Sequence, residues 1–331
     1  MTNVLVIGIV AGLCAALLFA WSATGEVPAR AAFALLTGLP LATAAAGWGF
    51  GAAVIGGSAA SAALGLIVSP TVAFAFFSTQ ALPIIALTYL AGLSRVGPDG
   101  STEWYPAGRI VIWAAIIASL LTFGVLMLIG TDMAAIKIAI RGFVETFATK
   151  QFPELSGGKA LGPSEIDDLA EIAMVLLPAA MAISVMGTML LNLWLGGRIA
   201  KASGVLSRAW PDLASLTFPR GAPLMLAIAT AGTFLSGLPG LAAAAFFGAM
   251  FLAYVLAGLA VIHHVTRGHP WRSFALWGIY GGLIVFNTFA SLLIALLGLA
   301  DTIRPLRQGA QPPDPPNLPG SGQGPPPPPG I

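Results

Sequence analysis

Between Arg30 and Arg95 the chain runs for 64 residues without an Asp, Glu, Lys, Arg or His. As a single helix, at 1.5 Å per residue, that run would be about three times the ~30 Å hydrocarbon thickness of a bilayer. A soluble helix must show water a polar face, and this stretch has no charged residue to build one. The chain is therefore expected to cross a membrane several times. Charged residues make up 8% of it, against roughly a quarter in soluble proteins, which leaves little material for a soluble domain.

Other compositional features exclude function classes. No run of Lys or Arg forms a phosphate-binding stripe, so no nucleic-acid partner is expected. Cys14 is the only cysteine, which excludes an intrachain disulfide and a cysteine-based metal site. Residues 4–20 are apolar like the core of a signal peptide, but no Lys or Arg precedes them, so they read as a retained first span. Richness in Ala, Gly and Pro, with Arg favoured over Lys, points to a bacterial cytoplasmic membrane, and the lipid bilayer is the first expected partner.

Charge-free stretches count the spans. Residues 1–25, 110–131, 172–197 and 273–300 give one each. The stretch 221–262 is interrupted by Gly237-Leu238-Pro239-Gly240, a turn signal, and gives two. Residues 31–94 give two or three, with possible breaks at Gly38-Leu39-Pro40, Gly47-Trp48-Gly49-Phe50-Gly51 and Ser69-Pro70. Three helices at about 33–47, 51–68 and 71–93 would use nearly every residue; two spans plus a broken or re-entrant helix would also fit. The expectation is an all-α polytopic transmembrane bundle of eight or nine spans over residues 1–300. A disordered tail over 301–331 follows; residues 305–331 hold eleven prolines, favour polyproline II and cannot build a core.

Two segments are not spans. Residues 132–151 space Lys137, Arg141 and Glu145 four apart, with Ile136, Ile140 and Val144 largely on other faces, which predicts an amphipathic interfacial helix. The loop 195–220 sets Arg198, Lys201, Arg208 and Arg220 against Asp212 and carries Trp210, which suits a segment lying along lipid headgroups. With three spans in 31–94, the side holding 94–109, 195–220 and 263–272 has eight Lys/Arg against seven; with two spans the count is nine to six. The loops 195–220 and 263–272 are placed in the cytoplasm on this basis.

Ionisable groups inside spans usually mark proton or ion paths, and this chain has essentially none. That argues against a proton-driven pump, a voltage sensor or an intramembrane hydrolase. Uncharged polar groups are the remaining candidates for a ligand pocket: Gln80, Asn192 and Asn287, with Tyr254 and Tyr280. Such amides more often hydrogen-bond one helix to another. His263, His264 and His269 invite a metal reading, but adjacent imidazoles on a helix end diverge and no carboxylate lies nearby, so no metal is expected. Ser164 reads as a helix N-cap with Asp167 three residues on, which accounts for the acidic cluster 165–171 by capping and dipole. Gly157-Gly158-Lys159-Ala160 lacks the first glycine and the Ser/Thr of a phosphate loop. No cofactor is expected, and the chain is not expected to be an enzyme. Small pairs such as Gly8/Gly12, Ala11/Ala15, Gly47/Gly51 and Gly278/Gly282 let helices approach closely.

Phe218-Pro219-Arg220-Gly221-Ala222-Pro223 enters a helical hairpin that ends in Leu256-Ala257-Gly258-Leu259-Ala260-Val261-Ile262-His263, followed by a basic turn and a last span. This pattern resembles the YybS-like family of bacterial multi-pass membrane proteins, a domain without assigned function, over about residues 5–300. The family's Gln before the Gly of the Leu-x-Gly stretch is Ala257 here. That family is in turn distantly similar to the substrate-binding subunits of energy-coupling-factor transporters. The resemblance implies small-molecule binding, with a transmembrane coupling subunit and ATPases as partners, and a coupling face at Ala11 and Ala15. A substrate-binding or transport subunit is the expected function; a structural or assembly protein of the envelope is the alternative.

Overall fold

The computed structural model describes residues 2–24, 26–98, 100–147 and 162–307. Among these, the 64-residue uncharged run resolves into three spans, and each anticipated break occurs. Helices α2 (Val27–Leu36) and α3 (Leu39–Trp48) form one interrupted span. Pro40 lacks the N–H that would continue the helix, so the ladder breaks at Thr37-Gly38 without turning the chain back. Gly49, at φ +83°, then reverses the chain into α4 (Phe50–Ile67). Ser69 caps α5 (Pro70–Phe76) by accepting a hydrogen bond from the Val72 amide. A π turn over Phe77–Ala81 joins α5 to α6 (Leu82–Gly92). Helix α1 (Thr2–Trp21) packs on α4 through Gly8 and Gly12, where an added Cβ would overlap Ala52 O and Gly56 O.

A short antiparallel hairpin, β1 (Ser94–Val96) and β2 (Thr102–Trp104), leads to α7 (Ala107–Ile129). Helix α8 (Met133–Thr146) is the amphipathic element expected over 132–151, with Asp132 as its N-cap. One stripe of it packs within the chain, while Ile138 and Phe143 stay exposed at 73% and 51%. Ile136 and Ile140 are buried with Leu126 and Leu241, while Lys137 and Arg141 pair with Glu171 and Asp167. Those acids begin α9 (Pro163–Ala202). At 40 residues it is about 60 Å long, twice a bilayer's hydrocarbon core. Its cap is Gly162 rather than Ser164: the Glu165 carboxylate accepts from the Gly162 amide at 2.7 Å, and Pro163 takes the first helical position.

Among the described residues, seven helices are long and apolar enough to span a membrane, counting α2–α3 and α5–α6 once each. The other apolar stretches of the expected eight or nine are shorter helices. Helix α10 (Ala222–Gly232) has 11 residues before the turn into α11 (Gly237–Val265). The stretch 273–300, expected as one helix, divides at Phe286 into α12 (Arg272–Val285) and α13 (Asn287–Ile303). Helix α13 packs antiparallel on α11, since Gly258 meets Ile294 and Gly298 meets Tyr254. The fold continues past the expected boundary at residue 300 as far as Arg307. The proline-rich segment beyond it, like Gly157–Ala160, lies outside the described residues.

Two apolar clusters organise the bundle. One joins α1, α3, α4, α5 and α6 through Ala15, Leu41, Ala60, Phe76 and Ile84. The larger joins α7, α9, α10, α11 and α13 around Met186, Met250 and Tyr254. Helix α9 packs against both groups, touching α3 and α11.

Candidate functional site

A cavity of about 1010 Å3 is walled by α3, α6, α7, α9 and α11 and bounded by residues 206–216 and α12. Helices α9 and α11 run in the same sense, with Ala179 against Gly248 and Leu252 nearest Gly187. Their C-terminal ends therefore reach the same end of the cavity. That end is polar and charged. Lys201 comes from α9, His263 and Arg267 from the end of α11, Arg208 and Asp212 from the loop, and Arg272 from the start of α12. Further back along the same helices the lining is apolar, with Leu190, Leu193, Leu252, Leu256 and Leu259.

The loop after α9, expected to lie along lipid headgroups, folds over the bundle as a strap. The cause is local. Helices α3 and α6 end here, and the last carbonyls of a helix have no partner within it. The Ser207 amide and hydroxyl both donate to Ala46 O, at 3.0 and 2.9 Å. Arg208 donates through Nη1 to Ala91 O at 2.8 Å, with its guanidinium 5.5 Å above the Trp104 ring. The Trp210 indole lies against Gly197, where a Cβ would sit 3.0 Å from the ring. Lys201 stands 5.6 Å over the same indole, a cation–π contact.

Asp212 accepts both terminal nitrogens of Arg267, at 3.0 and 2.8 Å. The hydrogen bond from Arg267 holds its carboxyl below the usual carboxylate range. Burial lowers the Arg208 guanidinium below its ordinary value. Its Nε is buried with no acceptor among the described residues. No carboxylate among them pairs with Lys201, Arg208 or Arg272.

Tyr280 and His263 form a polar pair in this wall. Arg272 Nη2 lies 3.3 Å from His263 Nδ1, and the Tyr280 hydroxyl lies 2.9 Å from Nε2. A guanidinium can only donate, so Nδ1 accepts and Nε2 carries the proton. The Tyr280 oxygen then accepts from His263, which leaves its own O–H to donate elsewhere. The three histidines do not converge. His264 and His269 have separate surroundings, and His269 stacks on Trp271.

Of the five ligand candidates Gln80, Asn192, Asn287, Tyr254 and Tyr280, the last alone lines this cavity. Asn192 is 1% exposed and supports the broken span: its Nδ2 donates to Leu35 O and Thr188 O, both at 2.8 Å. Leu35 O belongs to the last turn of α2, where the break leaves it without a helical donor. Asn192→Ala is expected to cost about 1–2 kcal/mol in unfolding experiments. It should leave occupancy of the cavity unchanged, which mass spectrometry of the purified variant would show. Gln80 sits half-buried in the π turn and makes no hydrogen bond among the described residues. Tyr254 is fully buried against Phe218, with no partner for its hydroxyl among the described residues. Asn287 is exposed at the start of α13. Ala15 is fully buried in the first cluster, and Ala11 is 9% exposed on the floor of a shallow apolar groove beside Val6, Val10 and Trp48. The two alanines are thus taken up by packing within the chain and do not present one open face.

The family model described as "Predicted membrane protein (DUF2232)" matches residues 13–302. The chain belongs to this family. No curated protein and no solved structure matches the chain. The part shared with the family contains every residue lining the cavity and ends before Arg307.

The sequence missed two features. The basic residues of the mouth are scattered over some seventy positions, so none formed a motif; the signal available was a recurrence of Lys, Arg and Trp at helix ends that share one side. The other is Asp301, which lies one residue beyond the charge-free stretch and is 6% exposed at the end of α13.

Proposed function

We propose that this chain is a small-molecule-binding membrane subunit, of a substrate-binding or transport type, in a bacterial cytoplasmic membrane. The cavity carries the reading. Its volume of about 1010 Å3 is at the upper end of ligand pockets, which are mostly apolar with a few convergent polar groups. The charged end, formed by the loops around 195–220 and 263–272, is placed on the cytoplasmic side. The resemblance to energy-coupling-factor substrate-binding subunits supports a transport role. ATPases acting through a coupling subunit would then drive it, because the sequence has no nucleotide-binding signature. The exposed face of α1, with Leu5, Val6, Val10, Leu13 and Leu17, is where a coupling helix would pack. The alternative is an envelope-assembly protein acting through α8, where Ile138 and Phe143 are exposed; the cavity gives the binding reading the stronger support.

Gly187 provides the test. It lines the cavity, and a Cβ there would meet nothing nearer than Leu252 at 3.9 Å. Gly187→Phe therefore introduces an aromatic ring at the cavity wall with no backbone overlap at its Cβ. Protein extracted in mild detergent is expected to retain a small molecule detectable by mass spectrometry, and Gly187→Phe should reduce that retention at least about tenfold. Equal retention by both proteins, or no small molecule on either, would sink the binding reading.

A further inference from the structure

Four cations and one carboxylate line the cavity, an excess of three positive charges at one end of an apolar slot. The carboxylate, Asp212, is already satisfied by Arg267. The remaining three cations are held in place yet unpaired. Arg208 is fixed by Ala91 O and Trp104, Lys201 by Trp210 and Arg272 by His263. Beside them the Tyr280 hydroxyl has a proton to donate. Arg208 is the partly buried one, with its Nε unpartnered among the described residues; a cation drawn out of bulk water without counter-charge is costly, and a bound anion removes that cost. Guanidinium forks suit phosphate oxygens in particular. The apolar lining that continues from this end has no use for a fully hydrated anion, but it suits hydrocarbon.

We propose that the cavity holds a phosphate-bearing lipid, its headgroup against Lys201, Arg208 and Arg272 and its hydrocarbon between the Leu190–Leu193 and Leu252–Leu259 walls. This rests on the reading of the cavity as a binding site and specifies its ligand class. A zwitterionic headgroup would add a positive charge to a site already in excess, so an anionic lipid is selected over a choline lipid of equal chain length.

Native mass spectrometry of the full-length protein, offered equal amounts of phosphatidylglycerol and phosphatidylcholine with matched chains, tests this. Phosphatidylglycerol should be retained at least about tenfold over phosphatidylcholine, and Arg208→Gln should remove most of that preference. Arg208 also bonds the backbone, so Lys201→Gln, which breaks no backbone hydrogen bond, gives a second and smaller loss. Arg208→Lys should keep most of the preference. Gly187→Phe should expel the lipid, and millimolar inorganic phosphate should not compete for it. Equal retention of the two lipids, or a preference untouched by both charge-removing variants, would overturn the proposal. So would inorganic phosphate binding as tightly as the lipid. If Gly187→Phe instead expels a neutral molecule, the lipid assignment falls and the cavity remains a binding site.

Discussion

Replacing Arg307 by Leu is expected to destabilise the protein by about 3–5 kcal/mol. Arg307 and Asp301 are 9% and 6% exposed and form a buried ion pair at the end of α13. Arg307 also donates to Ala214 O at 2.8 Å and to Leu216 O at 2.7 Å. Deleting the cation leaves a buried carboxylate without counter-charge and two strap carbonyls without a donor. The double variant Arg307→Leu/Asp301→Leu removes the stranded charge and leaves the two carbonyls and the Leu306 amide without their partners, about 1–3 kcal/mol. It should therefore be more stable than the single variant, although it lacks more polar contacts. Thermal unfolding in detergent would order wild type, double and single variants in that sequence. A single variant as stable as the double would show that Asp301 is not buried as charge. Residues 212–216 bound the cavity, so faster hydrogen exchange there in the single variant would show that Arg307 pins the strap.

The span pattern was legible because hydropathy reports which residues avoid water, and 64 uncharged residues leave few alternatives. Turn chemistry located the breaks but not their kind. Gly38-Leu39-Pro40 interrupts one span, whereas Gly49 and Ser69-Pro70 separate spans; which occurs depends on how α3 packs on α9, and that is not a local property. The division of 273–300 at Phe286 carries no Gly or Pro signal, and so it was read as one helix. Ligand candidates were chosen for being polar and rare within spans. That criterion selects groups needed by the backbone as readily as groups needed by a ligand; Asn192 holds two backbone carbonyls through Nδ2, while its Oδ1 is buried with no partner among the described residues. Tyr280 met the criterion and lines the cavity, but only pairing with His263, seventeen positions away, gives it a defined donor role. The strap's basic residues were visible in the sequence. Their inward course was not, because it depends on where α3 and α6 leave carbonyls unpaired.

Small-residue pairs show the same limit and lead to the other large effect. The Gly278/Gly282 pair looked equivalent to Gly8/Gly12, yet a Cβ at either Gly278 or Gly282 would meet nothing within 4 Å. Gly258 belongs to no such pair, and it sits where two backbones touch. A Cβ there would be 1.9 Å from Ile294 O, and one at Gly298 would be 2.4 Å from Tyr254 O. Helix propensity favours Gly258→Ala by about 1 kcal/mol. Relieving the overlap requires α11 and α13 to separate along a contact held by van der Waals packing, and overpacking of this kind costs about 1–3 kcal/mol, occasionally more. An overlap with backbone, which cannot rotate aside, belongs at the upper end, so sterics win and Gly258→Ala is expected to lose about 2 kcal/mol or more. Gly278→Ala, with propensity acting alone, should be neutral or slightly stabilised. Unfolding of the two variants side by side decides the matter, and equal midpoints would mean that α13 does not pack on α11 as described. Because α13 also carries Asp301, its displacement should loosen Arg307 from the strap, so Gly258→Ala should speed hydrogen exchange over 212–216 without altering any residue that lines the cavity.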